Sequence, residues 1–155
     1  MARATNSFTF PTYTSDHMEL NQNVTYGQVV MLTPGGSLLD NTDYDVSKVN
    51  MVIDINSQLL IFEQYADGYK ESYPFKMIDD VSESDFRVSQ QATIGNEFSD
   101  NFFKIKLKPS TVKTISAGSA IDRNQWIRVL LLIIQINRLS LNGVNPFIVE
   151  HFQKK

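Results

Sequence analysis

Side chains that commonly carry chemistry are few and scattered in this sequence. Cysteine is absent, which excludes a thiolate nucleophile, a thiolate metal site and a disulfide framework. The two histidines, His17 and His151, lie near opposite ends of the chain and in no recognisable catalytic motif. Asp79–Asp80, Glu83 and Asp85 could form a carboxylate or cation site, but a solvated acidic turn is the simpler interpretation. We therefore predict no catalytic residues, no metal site, no cofactor and no enzymatic activity.

The most regular charged pattern is a set of lysines near residue 105, namely Lys104, Lys106, Lys108 and Lys113. In FFKIKLK the first three alternate with apolar residues, so they share one face of a predicted strand, and Lys113 follows across a predicted hairpin. Such a stripe could contact an anionic membrane, where each lysine contributes on the order of 1 kcal/mol. It could also keep an exposed strand soluble and protect a sheet edge.

Composition and charge restrict the class of protein. The chain has 155 residues, of which 42% are hydrophobic and 20% charged, as expected for one globular domain. The net charge of −3 argues against nucleic-acid binding. The longest apolar run, Val129–Ile134, is far shorter than the about 20 residues of a membrane span, and MARATNSF lacks the apolar stretch of a signal peptide. With no cysteine, a cytoplasmic protein is the simplest expectation.

Short strand-like segments make up most of the chain. QVVMLTPGGS predicts a strand that ends in a turn, and KVNMVIDINSQLLIFEQ predicts a hairpin in which Val49, Met51 and Ile53 share one face. FFKIKLKPSTVKTISA predicts a second hairpin with Pro109-Ser110 at its turn. An irregular strand could lie within residues 86–98. About seven strands in all indicate a mainly β barrel or sandwich.

The predicted domain occupies residues 24–143, between an arm (1–23) and a C-terminal tail (144–155). The arm is polar and lacks sustained periodicity, so it is either flexible or docked on the domain. Its aromatic residues, Phe8, Phe10 and Tyr13, could dock as an added strand, lie against a second apolar stripe of the C-terminal helix or be held by a partner molecule.

IDRNQWIRVLLLIIQINRLSLNG predicts one long helix near the C-terminus. Ser119 is a suitable N-cap, Asp122 occupies a capping-box position, and Asn142-Gly143 is a stop signal. At helical spacing one apolar face is formed by Trp126, Val129, Leu130, Ile133 and Ile136. We expect this face to close the core.

A second apolar stripe on the same helix consists of Ile127, Leu131 and Ile134. A helix that is apolar over most of its circumference is buried on more than one side. We expect the stripe to be covered by the arm, by a protein partner or by a second copy of the chain.

Several of these segments resemble a pleckstrin-homology domain. VNMVIDINSQLLIFEQ is similar to the second and third strands of that family, and FKMIDDV to the segment that ends its first sheet. NFFKIKLKPSTVKTISAGSAIDRNQWIRVLLLII resembles the family's final hairpin and helix, whose early Trp packs over the open barrel. The resemblance covers residues 26–141 and implies a seven-stranded barrel or sandwich capped by one C-terminal α-helix. It extends to the domains of phosphoinositide-specific phospholipases and to the inner membrane complex sub-compartment proteins of apicomplexan parasites.

Members of this family that bind phosphoinositides hold the head group with Lys and Arg on the first two strands and their loop. The matching stretch here contains one basic residue, Lys48, together with Asp40, Asp43, Asp45 and Asp54. Acidic side chains at that position repel phosphate, so we predict that the usual lipid site is absent.

The resulting prediction is a non-catalytic, protein-binding scaffold at a cytoplasmic membrane face, which the resemblance places at an internal membrane such as the inner membrane complex. Its partner contact would be the stripe Ile127, Leu131 and Ile134. The alternative is a peripheral membrane domain that binds anionic lipid through Lys104, Lys106, Lys108 and Lys113. Salt distinguishes them, because only the contact between charges weakens steeply as ionic strength rises.

Overall fold

The structure is a computed structural model that describes residues 12–34, 44–84 and 101–141. Within these residues the elements, in chain order, are β1 (Tyr13–Thr14), β2 (Met18–Leu20), β3 (Val24–Pro34), β4 (Tyr44–Asp54), β5 (Leu59–Gln64), β6 (Lys70–Pro74), a 3-10 turn (Phe75–Met77), β7 (Ile78–Glu83), β8 (Phe102–Leu107), β9 (Thr111–Ser116) and helix α1 (Ala120–Leu141). No helix in the described ranges is long and apolar enough to cross a bilayer.

All strand pairs are antiparallel, and β3 is the strand at which the sheet folds over. The strand order is β6-β5-β4-β3-β9-β8-β7, and β3 pairs with β4 along its whole length. The other edge of β3 is shared, because Thr25–Gly27 takes part in pairing with β2 while Val30–Leu32 pairs with β9. The two halves of the sheet face each other as a sandwich, since Lys113 on β9 reaches Glu71 on β6 although these strands are not neighbours.

The core lies between the two halves of the sheet and α1. Val49, Met51 and Ile53 are fully buried, as their alternation predicts. The predicted helix face of Trp126, Val129, Leu130, Ile133 and Ile136 is no more than 1% exposed. Each such side chain contributes about 1.5–3 kcal/mol by burial. Helix α1 packs on β7, β8 and the 3-10 turn, so it covers the open side of the sandwich.

The start of α1 agrees with the predicted N-cap. The Ser119 hydroxyl oxygen accepts the Asp122 N–H at 3.0 Å, and the Ser119 carbonyl accepts the Arg123 N–H at 3.0 Å. The Asp122 carboxylate does not complete the expected capping box. Its two oxygens accept hydrogen bonds from Tyr13 of β1 and Ser15 of the β1–β2 turn instead. The described helix ends at Leu141, and the predicted stop signal lies outside the described residues.

Part of the predicted arm belongs to the sheet. β1 and β2 form a small hairpin that pairs with the first half of β3, and Met18 and Leu20 are buried in the core. Residues 1–11, the tail 144–155 and the irregular strand expected within 86–98 lie outside the described residues. The described sheet therefore contains nine strands, where the sequence predicts about seven.

The turn between β4 and β5 is organised by Asp54. Its carboxylate accepts hydrogen bonds from the Ser57 hydroxyl at 2.7 Å and from the backbone N–H groups of Ser57 and Asn56. These bonds, the Ser57 hydroxyl first, hold the pKa of Asp54 below its ordinary value. Gln58 completes the turn at φ 58°, in the left-handed region, and its carbonyl accepts the Phe75 N–H. This bond joins the β4–β5 turn to the start of the 3-10 turn.

Candidate functional site

Lys113 does not belong to the predicted lysine stripe. In the β8–β9 hairpin it lies directly opposite Ile105, which is fully buried, and residues directly opposite in an antiparallel pair point to the same face. The Lys113 ammonium contacts Glu71 at 2.9 Å and lies 5.8 Å from the ring centroids of both Phe62 and Tyr73. Lys113 therefore does not share the exposed face predicted for the four lysines, whereas Lys104, Lys106 and Lys108 remain candidates for it.

The pair of Lys113 and Glu71 is largely shielded from solvent. The two side chains are 14% and 32% exposed. Burial alone lowers the pKa of Lys113, but the hydrogen bond to Glu71, with the charges of Tyr73 and Glu71, outweighs it and raises the pKa. The ammonium stays charged, and Glu71 already balances its charge inside the sandwich, so it is not available to a phosphate ligand.

Lys104, Lys106 and Lys108 are exposed, as the alternation with buried Phe103, Ile105 and Leu107 predicts. Lys106 lies opposite Asp80 on β7, so an acidic side chain faces it across the sheet. Lys48, the basic residue of the first two long strands, is also exposed and lies on the face of β4 that is turned away from the core. None of these lysines points between the two halves of the sheet.

The second helix stripe is not one continuous surface. Ile134 is only 5% exposed and belongs to the core cluster, so little of its side chain is open to the partner predicted to contact it. Ile127 is half-buried against the same core, whereas Leu131 is 45% exposed. One turn from Ile134, the Asn137 side chain of α1 donates a hydrogen bond to the Phe75 carbonyl, so this part of the helix lies against the 3-10 turn.

The outer face of α1 is mixed in character. Leu131 lies at its centre, Ile121 is 60% exposed near its start and Leu139 is 37% exposed near its end. Exposed polar residues, among them Arg128 and Gln135, lie between these apolar side chains. A surface of this composition fits a modest protein contact better than a permanent hydrophobic interface.

A buried carboxylate joins the first hairpin to the helix. Asp122 is 1% exposed, and its two oxygens accept hydrogen bonds from the Tyr13 hydroxyl at 2.8 Å and the Ser15 hydroxyl at 2.9 Å. Burial and the neighbouring Asp122 raise the pKa of Tyr13 above its ordinary value. The sequence offers Asp122 as a helix-capping residue and gives no signal for its partners more than a hundred positions away.

A cleft of about 760 Å³ opens beside the C-terminal half of α1. Its walls come from the β4–β5 turn, the 3-10 turn, the start of β7 and the helix, with Lys108 at one side. Ile134 forms part of the inner wall. No sequence pattern predicts this cleft, because its residues are drawn from four separated segments.

The acidic residues considered from the sequence do not converge. Asp79 and Asp80 are exposed on β7, and Glu83 pairs with Arg123 of α1 at 3.2 Å. His17 lies in the β1–β2 hairpin, while Asp85 and His151 lie outside the described residues. In the part of the chain that the structure describes, no group of three His, Asp or Glu side chains is placed to hold a metal ion.

Comparison with known proteins supports the fold. No protein-family model and no curated protein matches the chain. Among solved structures it is similar to the PH domain of human oxysterol binding protein-related protein 11, with a TM-score of 0.52 and 15% identity over 76% of this chain and 84% of that one. It is also similar to the C-terminal domain of an unknown protein from Leishmania infantum, with a TM-score of 0.45 and 11% identity over 67% of this chain and 80% of that one. The C-terminal PH domain of human pleckstrin gives a TM-score of 0.43 and 13% identity over 71% of this chain and 86% of that one.

The likeness to the PH domain of oxysterol binding protein-related protein 11 and the strand order confirm the predicted fold class. The chain has a pleckstrin-homology-like fold, mainly β, with one C-terminal helix. Within the described residues its sheet forms a sandwich and does not close into a barrel. The fold by itself selects no function.

Proposed function

We propose that this chain is a non-catalytic interaction module that binds a protein partner through the outer face of α1. The observation that carries the proposal is Leu131, a large apolar side chain that is 45% exposed at the middle of α1. Ile127 lies one turn away and is half-buried, so a partner that covers Leu131 also contacts the exposed part of the Ile127 side chain. A second copy of this chain is the simplest such partner to test.

Around the first two long strands and between the sheet halves, the arrangement of the cations does not suit a phosphoinositide head group. Phosphates bound in a concavity require several converging cations, which Arg and Lys supply. In the described residues Lys113 points between the sheet halves, but Glu71 already neutralises it. Lys48 points away from the core. Following the resemblance, we include a scaffold role at the cytoplasmic face of an internal membrane, such as the inner membrane complex, in the proposal.

Substitution of Leu131 tests the protein contact directly. Leu131→Glu places a charge on the proposed surface and, because the residue is exposed, should change the free energy of unfolding by no more than about 0.5 kcal/mol. Sedimentation velocity and affinity capture from the source cells should then show loss of self-association or of captured proteins. Lys70→Glu, on the distant strand β6, should leave both unchanged. Retention of every contact by Leu131→Glu would rule out this surface.

Anionic-lipid binding is the second candidate, because Lys104, Lys106 and Lys108 are exposed together on and beside β8. Co-sedimentation with neutral vesicles and with vesicles that contain phosphatidic acid, at low and moderate salt, separates the two functions. Binding to the anionic vesicles alone that weakens with salt and is lost when all three lysines become Glu would favour the lipid candidate. Lys113→Gln should not reduce such binding, since that lysine points inward.

A further inference from the structure

The cleft beside α1 has an apolar inner wall. Its apolar lining residues are Leu59, Pro74, Phe75, Met77, Ile78 and Ile134. Leu59 and Met77 are only half-buried, so the cavity exposes apolar surface that lies beside, and not within, the packed core. A volume of about 760 Å³ lies within the range of pockets that enclose small ligands.

Three cations line the same cleft, and they come from three different elements. Lys76 belongs to the 3-10 turn, Lys108 to the β8–β9 turn and Arg138 to the last turns of α1. All three are exposed, and within the described part of the chain none of them forms an ion pair. Asp79 is the acidic residue in the lining, so the cleft carries a positive excess although the whole chain is negative.

The walls of the cleft are held together by hydrogen bonds. The Asn137 side-chain amide donates to the Phe75 carbonyl at 2.6 Å, which ties α1 to the 3-10 turn. The Lys108 N–H donates to the Met77 carbonyl at 2.8 Å, which ties the β8–β9 turn to the same segment. A cavity braced in this way is formed before a ligand arrives, so binding does not require the ordering of its walls.

We propose that this cleft binds a single-chain phosphate amphiphile, with the phosphate at Lys76, Lys108 and Arg138 and the hydrocarbon chain along the wall that includes Ile134. A phosphate monoester carries about −1.5 to −2 charges near neutral pH and three strong acceptor oxygens. It therefore suits three separate cations better than a carboxylate, which has a single charge and two oxygens. The apolar surface that Leu59, Pro74 and Met77 expose in the cleft matches a hydrocarbon chain. The site is independent of the protein contact at Leu131, which lies on the outer face of α1.

The test uses the full 155-residue chain, labelled with ¹⁵N, and dodecyl phosphate below its critical micelle concentration. The expected result is saturable binding of one molecule, with amide shifts concentrated at residues 57–59, 75–79 and 134–138. Dodecanoate should bind more weakly and dodecyltrimethylammonium should not bind. Arg138→Glu and Lys76→Glu should each reduce the affinity about tenfold or more, as expected for loss of a charge-assisted bond.

Matched measurements make the proposal refutable. Lys70→Glu changes the net charge by the same amount at an exposed residue of β6 that lies outside the cleft lining. This variant should bind dodecyl phosphate as tightly as the unaltered chain does. Circular dichroism and Trp126 fluorescence verify that each variant is folded. Equal binding of the cationic amphiphile, shifts spread over both halves of the sheet, or unchanged affinity in both Arg138→Glu and Lys76→Glu would overturn the proposal. Tighter binding of an acidic peptide with Phe at its centre would assign the cleft to peptides and also overturn it.

Discussion

Replacement of Asp122 by alanine tests how the first hairpin is attached to the domain. The substitution removes two hydrogen bonds to a carboxylate, those from Tyr13 and Ser15. Hydrogen bonds to a charged group contribute about 1.5–3 kcal/mol each, and an acid in the first turn of a helix about 0.3–1 kcal/mol. Tyr13 and Ser15 are only half-buried and regain water when the carboxylate is absent, so we expect a net loss of about 2–4 kcal/mol.

Urea unfolding followed by Trp126 fluorescence measures this loss. Trp126 is the only tryptophan, is 1% exposed and lies one turn after Asp122 on α1. Asp122→Asn keeps one acceptor oxygen and should lose about half as much stability as Asp122→Ala. Asp16→Ala removes an exposed carboxylate from the same hairpin and should change stability by less than about 0.5 kcal/mol.

A double-mutant cycle with Tyr13→Phe isolates the tyrosine bond. If Tyr13 and Asp122 interact as the structure shows, the combined loss should fall short of the sum of the single losses by about 1 kcal/mol or more. Hydrogen exchange should also show faster opening of β2 in Asp122→Ala than in Asp16→Ala. Strict additivity, together with a loss no larger than that of Asp16→Ala, would refute the assignment of Asp122 as the attachment point.

Other consequences of the structure can be tested separately. Gly27→Ala should displace β2 and destabilise the chain by more than about 2 kcal/mol in urea unfolding, because the added Cβ would overlap the carbonyl oxygen of His17, the residue just before β2. A change under about 0.5 kcal/mol would contradict that packing. Lys113→Ala should cost about 1–3 kcal/mol by leaving Glu71 unpaired beside aromatic rings, and Lys113→Ala combined with Glu71→Ala should cost less than the sum of the two single losses. The pKa of Tyr13 is raised in the folded state above 10.0, so its contribution to stability is complete below that pH and is lost as pH rises through the folded pKa. Comparison of the unaltered chain with Tyr13→Phe in alkaline unfolding should show the difference shrinking over that range, and a constant difference would contradict the shift.

The periodic spacing of apolar residues in the sequence was sufficient to predict much of the fold. The alternation of Val49, Met51 and Ile53 identified a strand with one buried face, and all three side chains are fully buried. The 100° spacing of Trp126 and its apolar neighbours identified the helix face that closes the core. These inferences succeed because strand and helix periods place neighbouring side chains on fixed faces without reference to the rest of the chain.

Contacts between distant segments could not be predicted in this way. Tyr13 and Asp122 are separated by 109 positions, and only their packing in three dimensions shows that the carboxylate binds a hairpin and does not cap its own helix. The stripe through Ile134 has the same limit. Its helical spacing follows from the sequence, but only the packing of α1 on the sandwich shows that Ile134 is buried and Leu131 exposed.

The β8–β9 hairpin shows most clearly what the sequence determined and what only the tertiary structure decided. The sequence by itself determined that Lys104 and Lys106 share an exposed face, since a strand alternates with period two. The face taken by Lys113 was decided by the register across the turn. Because Leu107 pairs with Thr111, Lys113 falls opposite Ile105, and a shift of one residue would have placed it opposite a lysine. Register depends on the loop length and on the partner strands together, so only the tertiary structure placed this cation inside the sandwich, beside Glu71.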